Sequence, residues 1–276
     1  MAIDERPPDP IDVRLLLATR TVEQLNAAAE NYFARLTNWD YLLAKPFGMI
    51  AESGTLLLQV GKLLQGLDLL PDHRVLDFGA GSCWISRWLT QLGCQVYPLD
   101  ISPTALRIGA RLFELHPPIG VHHPPHFLHF DGHRIPLDDG SVDRIVCFDA
   151  FHHLPNPDVI LAEMGRVLAP GGIAGFSEPG PHHSRSPQSQ ADMKIFGTIE
   201  NDVVIETIAR VAEAVGFTST ELELFDIAPP RPARTRPRAG ALSVHHVRRR
   251  DRRQGQARRG GDRAAARRRS TRLMTS

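Results

Sequence analysis

The chain has 276 residues, of which 42% are hydrophobic, and a formal net charge of +1, so it is long enough for one main domain with a sizeable core. No apolar run approaches the ~20 residues of a membrane helix, and the acidic, proline-rich start MAIDERPPDP is unlike a signal peptide. The three cysteines form neither a metal-type pair nor a disulfide framework. We therefore predict a cytoplasmic protein without a membrane span.

Charge is distributed unevenly along the chain. Residues 231–276 contain sixteen Arg, no Lys and two acidic residues, a net charge of +14, which leaves −13 on residues 1–230. An acidic body is a poor match for nucleic acid, whereas a basic tail attracts it. We expect nucleic acid to be a partner only through this tail.

The pattern of residue types along the chain predicts four regions. Residues 1–12 are expected to be disordered, and residues 13–72 to form a helical cap broken at Pro46-Phe47-Gly48. Residues 73–230 alternate between strands and helices, and residues 231–276 form an Arg-rich, disordered tail. The predicted strands are 73–78, 95–100, 126–130, 143–148, 173–177 and 220–227. The predicted helices between them are 82–92, 102–115, 157–168 and 201–215, with a polar loop at 179–190. This alternation predicts a doubly wound α/β fold with a mostly parallel sheet.

The stretch VLDFGAGSCWISRWL, residues 75–89, indicates the ligand. A strand ends in Asp77 and is followed by a glycine turn, which lies at the edge of a doubly wound sheet where ligands bind. A dinucleotide site prefers a third glycine where this chain has Trp84. The amino-acid end of a ligand would satisfy both the acid and the turn, and Asp100, which ends the next strand, is placed to hold ribose hydroxyls. Together these features indicate S-adenosylmethionine (SAM).

Four motifs in order resemble class I SAM-dependent methyltransferases, in particular the group that includes the ubiquinone- and menaquinone-biosynthesis enzymes. They are VLDFGAGSC, PLDIS, FDGHRIPLDDGSVDRIVCFDAFHHLPNP and EMGRVLAPGGIAGFSEP. The resemblance covers roughly residues 74–227 and implies a Rossmann-like sheet of the seven-stranded type, with SAM as the cofactor. In this family the last strand is normally inserted between the fifth and sixth strands.

The resemblance also implies roles for individual residues. The cofactor-binding residues it implies are Asp77, Gly79, Ala80 and Gly81 for the methionine end, Asp100 for the ribose, Ile101, Asp131 and Gly132 around the adenine, and Phe148 to close the pocket. Methyl transfer is an in-line displacement that requires alignment rather than a metal. A hydroxyl acceptor would benefit from a general base, for which His152 and His153 are the candidates.

No metal site is predicted. Six histidines lie between His116 and His133, but their spacing is irregular and no cysteine accompanies them. The loop after the fifth strand resembles a substrate lid, in which Arg185 could neutralise an acidic substrate. The helices before residue 70, including Tyr32, Phe33, Trp39 and Tyr41, would form the other wall. The expected acceptor is a small molecule.

The tail leaves two questions open. Its composition fits a shifted reading frame in a GC-rich gene, a polyanion-binding tail, or a folded end in which residues 241–247 are a short strand. If the reading frame has shifted, the last strand of the sheet would be missing. The predicted function is methyl transfer from SAM to a small molecule. The alternatives are polyanion binding through the tail and an inactive remnant of the fold.

Overall fold

The computed structural model describes residues 10–226 and 241–249. The N-terminal helices are α1 (Val13–Thr19), α2 (Val22–Ala34), α3 (Asp40–Leu43) and α4 (Ile50–Leu67). Thr21 and Gln24 form a reciprocal capping box at the start of α2. The helical cap predicted for residues 13–72 is thus four helices, and the break falls between α3 and α4.

The alternating region has the elements expected from its periodicity, with two differences. In chain order they are β1 (Arg74–Phe78), α5 (Trp84–Gln91), β2 (Gln95–Asp100), α6 (Pro103–Leu115), β3 (Leu128–His129), β4 (Val142–Phe148), α7 (Pro157–Val167), β5 (Leu168–Pro179), α8 (Pro187–Phe196), α9 (Ile205–Ala214) and β6 (Phe217–Asp226). The loop predicted at 179–190 contains a 3-10 turn and the start of α8. Residues 169–172, which separate the predicted helix 157–168 from the predicted strand 173–177, belong to β5, where the pairing with β4 shifts register.

A seventh strand, β7 (Ala241–Arg249), completes the sheet, whose order is β3-β2-β1-β4-β5-β7-β6. Strands β1 to β5 are parallel, and β7 runs antiparallel to both of its neighbours. The expectation of a disordered tail is therefore wrong for these nine residues, because pairing with β5 and β6 satisfies their backbone groups. The expectations for residues 1–9, 227–240 and 250–276 lie outside the described residues.

Alternate residues of the central strands bury opposite faces of the sheet. Leu76 and Ile145 pack with the α7 side chains Ile160, Leu161 and Met164. The neighbours Val75 and Val146 pack with α4 and α5 on the other face. This period of two confirms a doubly wound sheet, whose carboxyl edge is left free for a ligand. None of the helices in the described residues has the length and apolarity to cross a membrane.

Candidate functional site

The glycine loop after β1 is shaped by packing against its own fold. Gly79 and Gly81 adopt positive φ angles of +68° and +53°. The amides of Gly79 and Ala80 both donate to the carbonyl of Leu99, which ties the loop to β2. A Cβ atom on Gly79 would lie 2.5 Å from the Cβ of Ala150. Gly79 is therefore required both by its backbone angle and by the loop that follows β4.

Asp100 lies at the end of β2 and is buried. Its Oδ2 accepts a hydrogen bond from the Gly81 amide, and its Oδ1 accepts one from the Ser102 amide, each at 2.8 Å. Burial, with the charge of Glu30, raises the pKa of Asp100 to about 6 despite these amides. A carboxylate has about four acceptor positions, so two remain for the hydroxyls of a ligand.

Asp77 lies on the neighbouring strand and is equally buried. Its Oδ2 accepts a hydrogen bond from the Ser86 hydroxyl of α5. Burial and the nearby charge of Asp100 raise the pKa of Asp77 to about 6. Two buried carboxyl groups at adjacent strand ends make this edge of the sheet favourable for a cationic ligand group.

The other residues predicted to bind the cofactor, Ile101, Asp131, Gly132 and Phe148, separate into two groups. Ile101, Gly132 and Phe148 line the cavity at the sheet edge, and Phe148 packs edge-on against Trp84. Asp131 is exposed and is not among the lining residues. Its Oδ1 accepts hydrogen bonds from the backbone amides of His133 and Arg134 in its own turn, and these hydrogen bonds lower the pKa of Asp131.

A buried glutamate organises the loop after β4. Glu178, near the end of β5, accepts hydrogen bonds from the amides of Ala150 and Phe151 through Oε1. Its Oε2 lies 2.7 Å from Nδ1 of His152. Burial alone would lower the pKa of His152, but the hydrogen bond and charge of Glu178 raise it to about 9. His152 is therefore a positively charged, oriented side chain at neutral pH.

His153 has the opposite electrostatic environment. Its Nδ1 lies 2.7 Å from the carbonyl of Ile199, which accepts a hydrogen bond from Nδ1–H, so Nε2 is unprotonated in the neutral ring. Burial and the charge of His152 lower the pKa of His153. Its side chain is still 43% exposed because it borders the cavity. Of the two predicted bases, His153 has the charge state and access that proton removal requires.

These groups share one cavity of about 400 Å³, within the range of small-molecule sites. Helix α2 forms a wall with Tyr32 and Phe33, as predicted, whereas Trp39 and Tyr41 are not lining residues. In the loop after β5, His183 lines the cavity and Arg185 is exposed outside it. The charged lining residues are Lys45, the protonated His152 and five carboxyl groups, Asp77, Asp100, Asp149, Asp192 and Glu200.

Sequence reasoning missed Glu178 and Glu200. Glu178 could have been found, because it lies near the end of a strand at the edge where ligands bind. Glu200 had no such signal, since it follows α8 in a loop. That loop reaches the site because the Asn201 amide donates to the carbonyl of His152 and the Asn201 side chain donates to the carbonyl of Leu154.

Comparison with known sequences identifies the domain. The profile of a family described as "Methyltransferase domain" matches residues 76–176. "Methyltransferase GfsG" of Streptomyces halstedii is 27% identical over 195 residues, which are 70% of this chain and 67% of that protein. A "Ubiquinone biosynthesis O-methyltransferase" of Xanthomonas campestris is 32% identical over 108 residues, 39% of this chain and 44% of that protein. The chain thus spans about two thirds of the first relative and less than half of the second.

Solved structures show the same fold. A SAM-dependent methyltransferase of Methanosarcina mazei superposes with a TM-score of 0.55 at 17% identity, over 68% of this chain and 96% of that one. The structure titled "[4+2]-Cyclase SpnF" gives a TM-score of 0.60 at 14% identity, over 83% and 96% of the two chains. The cyclase shows that this fold alone does not specify the reaction. The profile match and the relatives do specify it: residues 76–176 carry a methyltransferase domain, whose cofactor is S-adenosylmethionine.

Proposed function

We propose that this chain transfers a methyl group from SAM to a hydroxyl group of a small molecule, with His153 as the general base. One observation carries the proposal. The carboxyl cluster of Asp77 and Asp100 and the neutral, partly exposed imidazole of His153 open into the same cavity. A cofactor held at the first and an acceptor at the second could align for in-line displacement.

The cofactor end follows from the charges and the loop. Asp77 would face the ammonium of the methionine moiety, and the glycine loop would lie against its chain. Asp100, already fixed by two amides, would accept hydrogen bonds from both ribose hydroxyls. Ile101, Gly132 and Phe148 would enclose the adenine, and Asp131 would reach its amino edge only if its own turn opened.

The charge of the cavity favours an acceptor without a negative charge. Five carboxyl groups line the cavity against two positive groups, Lys45 and the protonated His152. Arg185, the predicted partner of an acidic substrate, lies outside it. A carboxylated acceptor would therefore meet electrostatic repulsion at the site. The methyl carbon is activated by the positive sulfur, so the protein's contribution would be alignment, exclusion of water and proton removal at Nε2 of His153.

Ligand-induced stabilisation tests the cofactor site. S-adenosylhomocysteine at a hundred times its dissociation constant should stabilise the folded chain by about 2.7 kcal/mol, or a rise in Tm of several degrees. Catechol and 3,4-dihydroxybenzoate, offered with labelled SAM, form a matched pair that differs only in the carboxylate. Faster labelling of the benzoate, or no stabilisation by millimolar S-adenosylhomocysteine, would contradict the proposal.

The composition of residues 231–276 supports a second candidate function, polyanion binding. Its net charge of +14 would give a strongly salt-dependent affinity for DNA or RNA. This function and methyl transfer are compatible, since they use different parts of the chain. The inactive-remnant alternative predicts that S-adenosylhomocysteine leaves Tm unchanged, so the same titration distinguishes it.

A further inference from the structure

A cluster of histidines and a glutamate lines the part of the cavity where the proposed function places the acceptor. Among the described residues, His152, His153 and Glu200 offer one ligand atom each within 4.8 Å of one another. His183 adjoins them, with Nε2 2.9 Å from Oε2 of Glu200. None of these four residues is needed for the cofactor positions assigned above. We propose that His152, His153 and Glu200 bind a divalent first-row transition metal such as Zn²⁺, with His183 as the fourth ligand.

The surroundings of the two adjacent histidines resemble those of metal-binding imidazoles. A ligating histidine usually donates its second ring N–H to a carboxylate or a backbone carbonyl. Glu178 contacts Nδ1 of His152, and the Ile199 carbonyl contacts Nδ1 of His153. Each ring is thereby held in orientation. Nε2 of the neutral His153 has a lone pair available for a metal, whereas the charged His152 would release its Nε2 proton when a metal binds.

The distances also suit a metal. For bonds of about 2.1 Å around a tetrahedral ion, neighbouring ligand atoms lie about 3.4 Å apart. Nε2 of His152 is 3.6 Å from Oε2 of Glu200, and Nε2 of His183 is 2.9 Å from the same oxygen. Small side-chain movements would therefore bring these atoms to the edges of a coordination tetrahedron.

The donor set selects the kind of metal. Imidazole nitrogens with one carboxylate suit Zn²⁺ and its first-row neighbours, whereas Mg²⁺ prefers oxygen ligands alone. The cavity provides a path for entry, since His153 borders it, and its carboxyl groups attract cations. A nitrogen bound to a metal cannot accept a proton, so the proton removal proposed for His153 belongs to the metal-free chain, and metal binding would inhibit it.

Binding is measured on the full-length chain without a histidine tag, freed of metal by a chelator. We expect about one equivalent of Co²⁺ to bind with the visible absorption of a low-coordinate site, Zn²⁺ to displace it, and Mg²⁺ to leave it in place. Glu200→Gln and His153→Gln should each weaken Co²⁺ binding at least tenfold. His123→Gln is the matched control, because His123 is exposed and paired with Asp72 away from the cavity.

Folding and cofactor binding are followed in the same samples by stabilisation with S-adenosylhomocysteine. A Glu200→Gln variant that retains this stabilisation but loses Co²⁺ confirms the site. Wild-type chain that binds no equivalent with the expected absorption, or variants that bind Co²⁺ as wild type does, would overturn it. Failure of the cofactor proposal would appear separately, as a wild-type chain that binds Co²⁺ but is not stabilised by S-adenosylhomocysteine.

Discussion

Replacement of Asp100 by Asn changes one atom at the centre of the proposed cofactor site. The carboxylate oxygens of Asp100 each accept a backbone amide, from Gly81 and Ser102. In the variant one of these positions becomes an NH₂ group, which faces an amide N–H and cannot accept a ribose hydroxyl. The charge that strengthens the other ribose contact is also lost.

The expected effect follows from the number of contacts. Hydrogen bonds to a charged group contribute about 1.5–3 kcal/mol each, so weakening two ribose contacts should cost roughly 3–6 kcal/mol of SAM binding. At about 1.4 kcal/mol per factor of ten, Kd should rise roughly a hundredfold to ten-thousandfold. Because the variant also removes a buried carboxyl group with a raised pKa, the fold itself should survive.

Calorimetric titration of SAM into both proteins measures this change. Asp138→Asn is the control, since Asp138 is exposed and is not among the residues that line the cavity. Circular dichroism shows whether each variant is folded. A folded Asp100→Asn chain whose Kd stays within about threefold of wild type would refute the assignment of Asp100 to the ribose.

Four further expectations test other parts of the account. Gly79→Ala should lower Tm and abolish SAM binding, because the new Cβ would collide with Ala150 and the backbone has a positive φ there. The control is Gly61→Ala, in a helix with open space around it, which should not lower Tm. SAM affinity should fall as pH drops below about 6, because Asp77 and Asp100 take up protons there, and a flat calorimetric profile from pH 7 to 5 would contradict this. The raised pKa of His152 stabilises the folded chain fully below about pH 6.5, and this stabilisation is lost as pH rises through about 9. The free energy of unfolding in urea should therefore fall less across that pH range in the His152→Gln variant than in the wild-type chain. Deletion of residues 250–276 should leave the protein soluble and remove salt-sensitive DNA binding. Deletion of residues 231–276 also removes β7, and it should cause aggregation because the edges of β5 and β6 become exposed. Equal solubility of the two deletion variants would count against the seven-stranded sheet.

The sequence predicted the centre of the fold because local and tertiary signals agree there. Apolar runs of four to seven residues, each ending in an acid or a glycine turn, identified β1, β2 and β4. The helix predicted at residues 102–115 is α6, which begins after the N-cap Ser102 with Pro103 in its first turn. Asp77, the glycine loop and Asp100 come together because parallel strands end at one edge of the sheet.

The remaining features depend on contacts distant in sequence. Helix α8 has a weak apolar pattern, and Met193 is buried by the surrounding fold rather than marked by periodicity. Strand β7 lies in an Arg-rich segment whose composition favoured a disordered tail, so a strand at residues 241–247 was one of three alternatives, and its pairing with β5 and β6 decides among them. Asp131 matched the family pattern, yet its carboxylate caps its own turn.

The His–Glu cluster shows the same limit at the site. His152 and His153 were recognisable from their position after β4, but their different electrostatic states were not. Those states depend on Glu178 and Glu200, which lie 26 and 48 residues beyond His152. Burial enlarges these differences, because each hydrogen bond and charge in the cluster shifts the pKa of a histidine more in the protein interior than it would in water.

A crystal structure of the full-length chain with S-adenosylhomocysteine tests the central claim most directly. The account predicts that the ligand occupies the cavity with its ribose hydroxyls on Asp100, its amino-acid end against the loop from Gly79 to Gly81, and its sulfur facing the side of the cavity bordered by His153. A cavity that stays empty at saturating ligand, or a ligand whose ribose lies away from Asp100, would contradict it.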